Sequence, residues 1–199
     1  MGGEPSTPRG ERTRQHVIEV AHACVRRVGI RRLAMEAVAE EAGLSRAALY
    51  RHFPNKQALV DAVLEENAHR FRRELDALLE PETTLADRVG AAARFGHFPP
   101  RDLLLLGLSE TDPASLAMLL TTGAHQFLER ATRFWTPYVE AAQASGEVSA
   151  SLDAAQSAEW IARSLFGLAT LPAVTYDADD PAAVERYART YIVARLGGK

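Results

Sequence analysis

The sequence predicts an all-α fold, and three observations carry that prediction. Apolar residues recur at three- and four-residue spacing along most of the chain. Strand-like alternation between hairpin turns is absent, and so are internal repeats. The punctuation is that of helices. Ser45, Asn55, Asp112, Asp153 and Asp180 stand where caps are needed, Pro113 and Pro181 suit first helical positions, and Gly29, Gly43, Gly146 and Gly197 suit stops.

Taken in order, residues 1–9 are rich in Gly, Pro, Ser and Thr and read as a flexible arm. Residues 11–28 form a helix with the stripe Val17, Val20, Ala21, Cys24, Val25 and Val28. Short helices follow at 35–42 and 46–52. Pro54 and Asn55 break the chain before a long helix at 56–79, whose inner side carries Leu59, Val60, Val63, Leu64, Phe71, Leu75 and Leu78; Pro81 follows its end. Further helices are expected at 84–95, 101–109, 113–145, 153–171 and 181–196. Pro137 should kink the 113–145 helix, because it removes a backbone donor. Asp153 with Gln156 resembles a capping box.

Composition narrows the class. Of 199 residues 47% are hydrophobic, enough for a folded core. No apolar run approaches the roughly 18 residues of a membrane span, and no signal peptide is visible. The single cysteine, Cys24, lies on an apolar stripe and reads as a small core residue; with no disulfide possible within the chain, a reducing cytoplasm is expected. Residues 9–56 carry ten Arg or Lys against five acids, an excess of five positive charges. The formal total is −3, so the remainder carries −8. A basic segment on an acidic body points to a polyanion met by the basic part alone.

Residues 34–56 sharpen this. A short helix packing through Val38, Ala39 and Ala42, a Gly43 turn with Leu44 as its plug, and a second short helix capped by Ser45 make the pattern of a helix-turn-helix. Leu49 and Phe53, four apart, turn inward. Arg46, Ala47, Tyr50 and Arg51 are left facing outward.

These residues resemble the TetR family of transcriptional regulators. The resemblance is carried by Gly29, Val38-Ala39, Ala42-Gly43-Leu44-Ser45, Leu49-Tyr50-Arg51-His52-Phe53, Asn55-Lys56 and Leu59, about the first quarter of the chain. It implies a homodimer of all-α subunits. Each subunit would have a three-helix DNA-binding head at 10–56, continuing into the 56–79 helix, and a ligand-binding and dimerisation body at 57–199. The implied DNA contacts are Ser45, Arg46, Ala47, Tyr50, Arg51, His52 and Lys56. Arg46 suits a bidentate contact with guanine, and Ala47 a thymine methyl. Tyr50 and His52 match positions that touch phosphate. Lys56 adds its ammonium to a helix N-terminus. Arg51 can reach a base or a phosphate. The chain departs from the family at Ala34, Met35 and Ala48, where hydroxyl residues are common, and Glu36 places a carboxylate beside the same helix start.

The body holds a concentration of aromatic and histidine residues. Core packing explains most of them; an apolar effector pocket would use Phe95, His97, Phe98, Leu104, Met118, His125, Phe127, Trp135 and Tyr138, with His97 and His125 as polar anchors. The family's dimerisation positions correspond to Trp160, Ile161, Ser164, Leu165, Gly167 and Leu168, with Tyr187 and Tyr191 opposite. The resemblance implies a repressor that binds an inverted repeat and is released by a small, largely apolar ligand. A DNA-binding dimer without an inducer is the alternative. A small helical enzyme is the rival from another class. The chain has no phosphate loop, no nucleophile elbow and no His-Glu-x-x-His, and its six histidines, at 16, 22, 52, 69, 97 and 125, lack metal-ligand spacing. No cofactor or metal is expected.

Overall fold

The computed structural model describes residues 8–98, Leu104, Leu108 and 111–197, without side-chain detail at Leu119, Leu120 and Ala124. The described residues form helices α1 (Pro8–Val28), α2 (Met35–Glu41), α3 (Arg46–His52), α4 (Lys56–Leu79), α5 (Leu85–His97), α6 (Pro113–Thr122), α7 (Ala124–Ala144), α8 (Ala154–Thr170) and α9 (Pro181–Ala188), with a π turn at Arg189–Val193. The sole strand-like feature among them is an isolated bridge between Val148 and Gly197. The all-α expectation stands. No described helix is long and apolar enough to cross a membrane.

The chain divides into two compact units. The first holds α1–α3, α4 up to Phe71, Leu104, Leu108 and 111–119. Its core is the α1 stripe of Val17, Ile18, Ala21, Cys24 and Val25 packed with Val38 and Ala39 of α2, Leu49, Phe53, and Leu59 and Val63 of α4. Each fully buried Leu or Phe of this set contributes about 2–3 kcal/mol of apolar burial. Burial and the nearby Glu41 push the Cys24 thiol up, in keeping with a protonated core residue.

The second unit holds α4 from Arg72, α5 and the chain from 120 onward. Here α7 packs on α8, and α5 packs on α8 and α9. Its interior includes Leu79, Leu85, Val89, Trp135, Val139, Ile161, Val184 and Ile192. Glu147 closes one end of α5: its carboxylate accepts the Leu85 and Ala86 amides, both at 2.8 Å, satisfying donors that a helix start leaves free.

Several boundaries differ from expectation. Helix α1 begins at Pro8, so Pro8 and Arg9 belong to it rather than to the arm; proline is tolerated where no helical donor is needed. Residues 1–7 of the arm, and all of the expected 101–109 helix except Leu104 and Leu108, lie outside the described residues. The expected 113–145 helix is two helices parted at Gly123, and α7 runs through Pro137. The last helix leaves α geometry after Ala188 and ends in the π turn. Its carbonyl at Ile192 is taken by the Trp160 indole N–H at 3.1 Å, a partner 32 residues away that local sequence does not announce.

Candidate nucleic-acid interface

The helix-turn-helix is built by local chemistry. At the end of α2 the chain turns through Gly43, whose φ of +66° is open to glycine at little cost. The Gly43 amide donates to the Glu40 carbonyl at 3.1 Å and the Leu44 amide to the Ala39 carbonyl at 2.9 Å, the bonding of a Schellman stop. Ser45, in extended geometry, then accepts the Ala48 amide on its hydroxyl at 3.2 Å and starts α3. Leu49 and Phe53 are buried, which fixes the rotation of α3 and turns the opposite side outward.

On that outer side Arg46, Ala47 and Arg51 are exposed, while Tyr50 and His52 are half-buried. Tyr50 is less free than expected: its ring packs against the head core and lies under the Arg46 guanidinium at 5.5 Å. Arg46 also meets Glu36 at 3.2 Å, with 69% of its side chain exposed. Glu36 thus holds the arginine across the front of α2 and α3, a pairing that sequence spacing did not reveal. The exposed pair is weak, of order 0–1 kcal/mol, so the arginine can be released to another acceptor.

Helix α2 lacks the cap that α3 has. Ala34 is extended but offers no side-chain acceptor. Helix α4 is capped by Asn55, whose carbonyl oxygen accepts the Ala58 amide at 2.8 Å, leaving Lys56 as the first helical residue. The Lys56 ammonium donates to the Arg31 backbone carbonyl at 2.8 Å.

Arg31 leads to a residue whose part in this site sequence reasoning missed. Its amide donates to Asp112 Oδ2 and its Nε to Asp112 Oδ1, both at 2.9 Å. Asp112 is 3% exposed and also starts α6: Ser115 donates its hydroxyl at 2.8 Å and its amide at 3.3 Å. Burial alone would raise this carboxyl; the Arg31 amide, the Ser115 hydroxyl and amide and the Arg31 guanidinium outweigh it and bring it down to about 2. Asp112-Pro113 was legible as a helix start. Its pairing across 81 residues was not, because nothing local encodes it.

The residues expected to line an effector pocket fall in both compact units. Leu104 is buried in the first unit, where its amide donates to the Asn67 side chain at 2.7 Å. Met118 belongs to that unit too and is exposed. His125 is 86% exposed and pairs with Glu129 one turn on, so solvent and a neighbouring carboxylate already satisfy it. In the second unit Trp135 is buried against Phe134 and Tyr138. Phe95 is half-buried. His97 has Nδ1 3.2 Å from the Leu168 carbonyl and its ring edge-on to Phe98. Phe127 meets Phe166 at 5.2 Å between ring centres.

Of the expected dimer residues, Ile161 is fully buried with Ala158 and Ala162 in its own unit. Trp160 and Tyr191 are exposed, as is Leu171 just past the end of α8. Ser164, Leu165, Gly167 and Leu168 are half-buried along the same helix, and Tyr187 is sandwiched between Tyr176 and Tyr191.

Comparison with known proteins agrees with this architecture. Residues 17–63 match the family described as bacterial regulatory proteins, tetR family. Among curated relatives, the nucleoid occlusion factor SlmA of Photorhabdus laumondii is 27% identical over 127 residues, which cover 64% of this chain and 59% of that protein. The match therefore spans about three fifths of the relative's length. Among solved structures, a TetR transcriptional regulator from Chloroflexus aurantiacus is 22% identical, with 96% of each chain covered and a TM-score of 0.66. SmeT, solved as a complex with triclosan, is 19% identical, with 94% of this chain and 93% of that one covered and a TM-score of 0.65.

Proposed function

From the premise that the chain is a member of the tetR family of bacterial regulatory proteins, we propose that it is a transcriptional repressor, not an enzyme, that binds an inverted-repeat operator as a homodimer. The observation that carries this reading is the exposed edge of α3. Arg46, Ala47 and Arg51 project from a helix whose other side is locked by Leu49 and Phe53. Arg46 reads guanine through its two-pronged guanidinium, and Ala47 meets a thymine methyl. Ser45, Tyr50, His52 and Lys56 flank these and hold the phosphate backbone. Two such helices roughly 34 Å apart enter successive major grooves.

Release by an effector belongs to the same proposal. In the second unit the half-exposed ring of Phe98 meets the His97 ring, whose Nδ1 lies 3.2 Å from the Leu168 carbonyl, and the half-exposed ring of Phe127 meets Phe166. This chemistry suits a small, largely apolar ligand. SmeT, of the same fold, was solved with triclosan bound. A ligand that favours one head spacing over another shifts the population off DNA by its difference in affinity for the two.

Selection of duplexes from a random pool, followed by affinity measurement, tests the DNA half. Arg46→Ala should lose about 1–3 kcal/mol on the selected site and relax preference at one position. Lys56→Ala should weaken all duplexes alike and reduce the salt slope by about one. If both variants bind the selected site as the unaltered chain does, the assignment is wrong. A rise in melting temperature with lipophilic compounds tests the effector half.

A further inference from the structure

The structure assigns Asp112, far from the helix-turn-helix in sequence, as a positioning residue for the DNA-binding head: its buried carboxylate seats the 29–31 turn, and that turn holds the Lys56 ammonium. The inference rests on the proposed function, since Lys56 is read there as a phosphate contact.

The connection is continuous and made of short bonds within one compact unit. Lys56 Nζ donates to the Arg31 carbonyl at 2.8 Å. The Arg31 amide and Nε both donate to Asp112 at 2.9 Å, one to each carboxylate oxygen. The peptide unit and side chain of Arg31 are therefore clamped from one side while its carbonyl orients the lysine on the other. Gly29 admits this arrangement. A Cβ there would stand 2.7 Å from Asp112 Cβ, and its φ of +82° already disfavours any other residue. Ser115 fixes the carboxylate in turn, through its hydroxyl at 2.8 Å.

The carboxylate is buried, whereas Arg31 is two-thirds exposed and Lys56 half-buried. The fixed member of the chain is thus Asp112. A lysine on a four-carbon stem has much rotamer freedom to lose on meeting a phosphate. Held by a seated carbonyl, it has lost part of that freedom before DNA arrives. Without Asp112 the 29–31 turn lacks both of its side-chain acceptors, and Lys56 loses a fixed partner.

The chain has two lysines, Lys56 and Lys199, so amine chemistry reports on Lys56 with an internal reference. Competitive acetylation followed by mass spectrometry of the full chain reads the positioning without DNA. Asp112→Asn should raise the ratio of Lys56 to Lys199 acetylation several-fold over that of the unaltered protein. Arg31→Ala, which keeps the backbone carbonyl and the Asp112 charge, should raise it by a smaller factor, and it carries the test if Asp112→Asn fails to fold. An unchanged ratio in a folded variant overturns the inference whatever the DNA result.

Binding to a labelled random-sequence duplex over a salt series gives the second reading. Asp112→Asn should weaken binding about three- to tenfold and lower the slope of log affinity on log salt by about 0.9, the loss of one phosphate contact. Combined with Lys56→Ala it should add little beyond Lys56→Ala alone. Full additivity of the two overturns the inference. Absence of salt-dependent binding by the unaltered chain overturns the proposed function instead, and the acetylation ratio tells the two failures apart.

Discussion

At the scale of the residue, the head turns on how single polar groups are satisfied. Asp112 is the clearest case, because its burial and its hydrogen bonds pull in opposite directions and the bonds win. The folded carboxyl sits near 2 against an ordinary 3.8, so the folded state favours the ionised form. A depressed carboxyl contributes its full stability above the unfolded value and loses it as pH falls through the folded one. The window is thus from about pH 4 down to about pH 2. Urea unfolding at intervals across it should show the midpoint of the unaltered chain falling more steeply than that of Asp112→Asn, with the two converging near the acid end. Parallel curves would mean that Asp112 makes no linked contribution. Gly43 and Leu49 were readable at this scale, since a left-handed stop and an inward four-residue spacing are written locally. The Arg46–Glu36 and Arg31–Asp112 pairs were not, because each joins separate elements.

At the scale of the element, legibility follows the caps. Helices α3 and α4 begin and end where the sequence placed them; Ser45 and Asn55 each accept an amide three residues on and so encode the starts. Asp153 and Asp180 do the same for α8 and α9, accepting the Gln156 and Ala182 amides. The end of the chain departs from the expected 181–196 helix for the converse reason. The Trp160 indole, an ion pair between Arg189 and Asp87 at 2.6 Å, and the Val148–Gly197 bridge are all distant partners that reshape the last turns. Helix α2 supplies a test of the capping logic. Ala34 has extended geometry and no acceptor, so Ala34→Ser should stabilise the head by about 0.5–1 kcal/mol, read as a higher melting temperature. Ser45→Ala should cost about 1 kcal/mol by losing the bond to Ala48. If both substitutions leave the melting temperature unchanged, local caps do not limit head stability.

At the scale of the whole molecule, charge and an uncovered apolar surface point to how the chain works. The excess of five positive charges lies within residues 9–56, and the remainder is acidic by eight. Long-range attraction to DNA therefore acts on the head and repulsion on the rest, which favours approach by the recognition helix. A single head reads only a few base pairs, so tight and selective binding calls for two heads joined. The joining surface is proposed along α8 and beyond α9, where Trp160 is 47%, Leu171 67% and Tyr191 61% exposed. Leu171 is the cleanest probe, since it stands past the end of α8 and outside the core, where a substitution changes subunit stability by about 0.5 kcal/mol or less. In an assembled interface the same position would bury a carboxylate against apolar groups, at a cost of several kcal/mol. Leu171→Glu should therefore keep the melting curve of the subunit, halve the sedimenting mass, and reduce affinity for the inverted repeat to that for a half-site. A Leu171→Glu chain that sediments and binds like the unaltered one would move the interface elsewhere. An unaltered chain that sediments as a monomer at all concentrations would remove the dimer, and with it the reading of an inverted repeat.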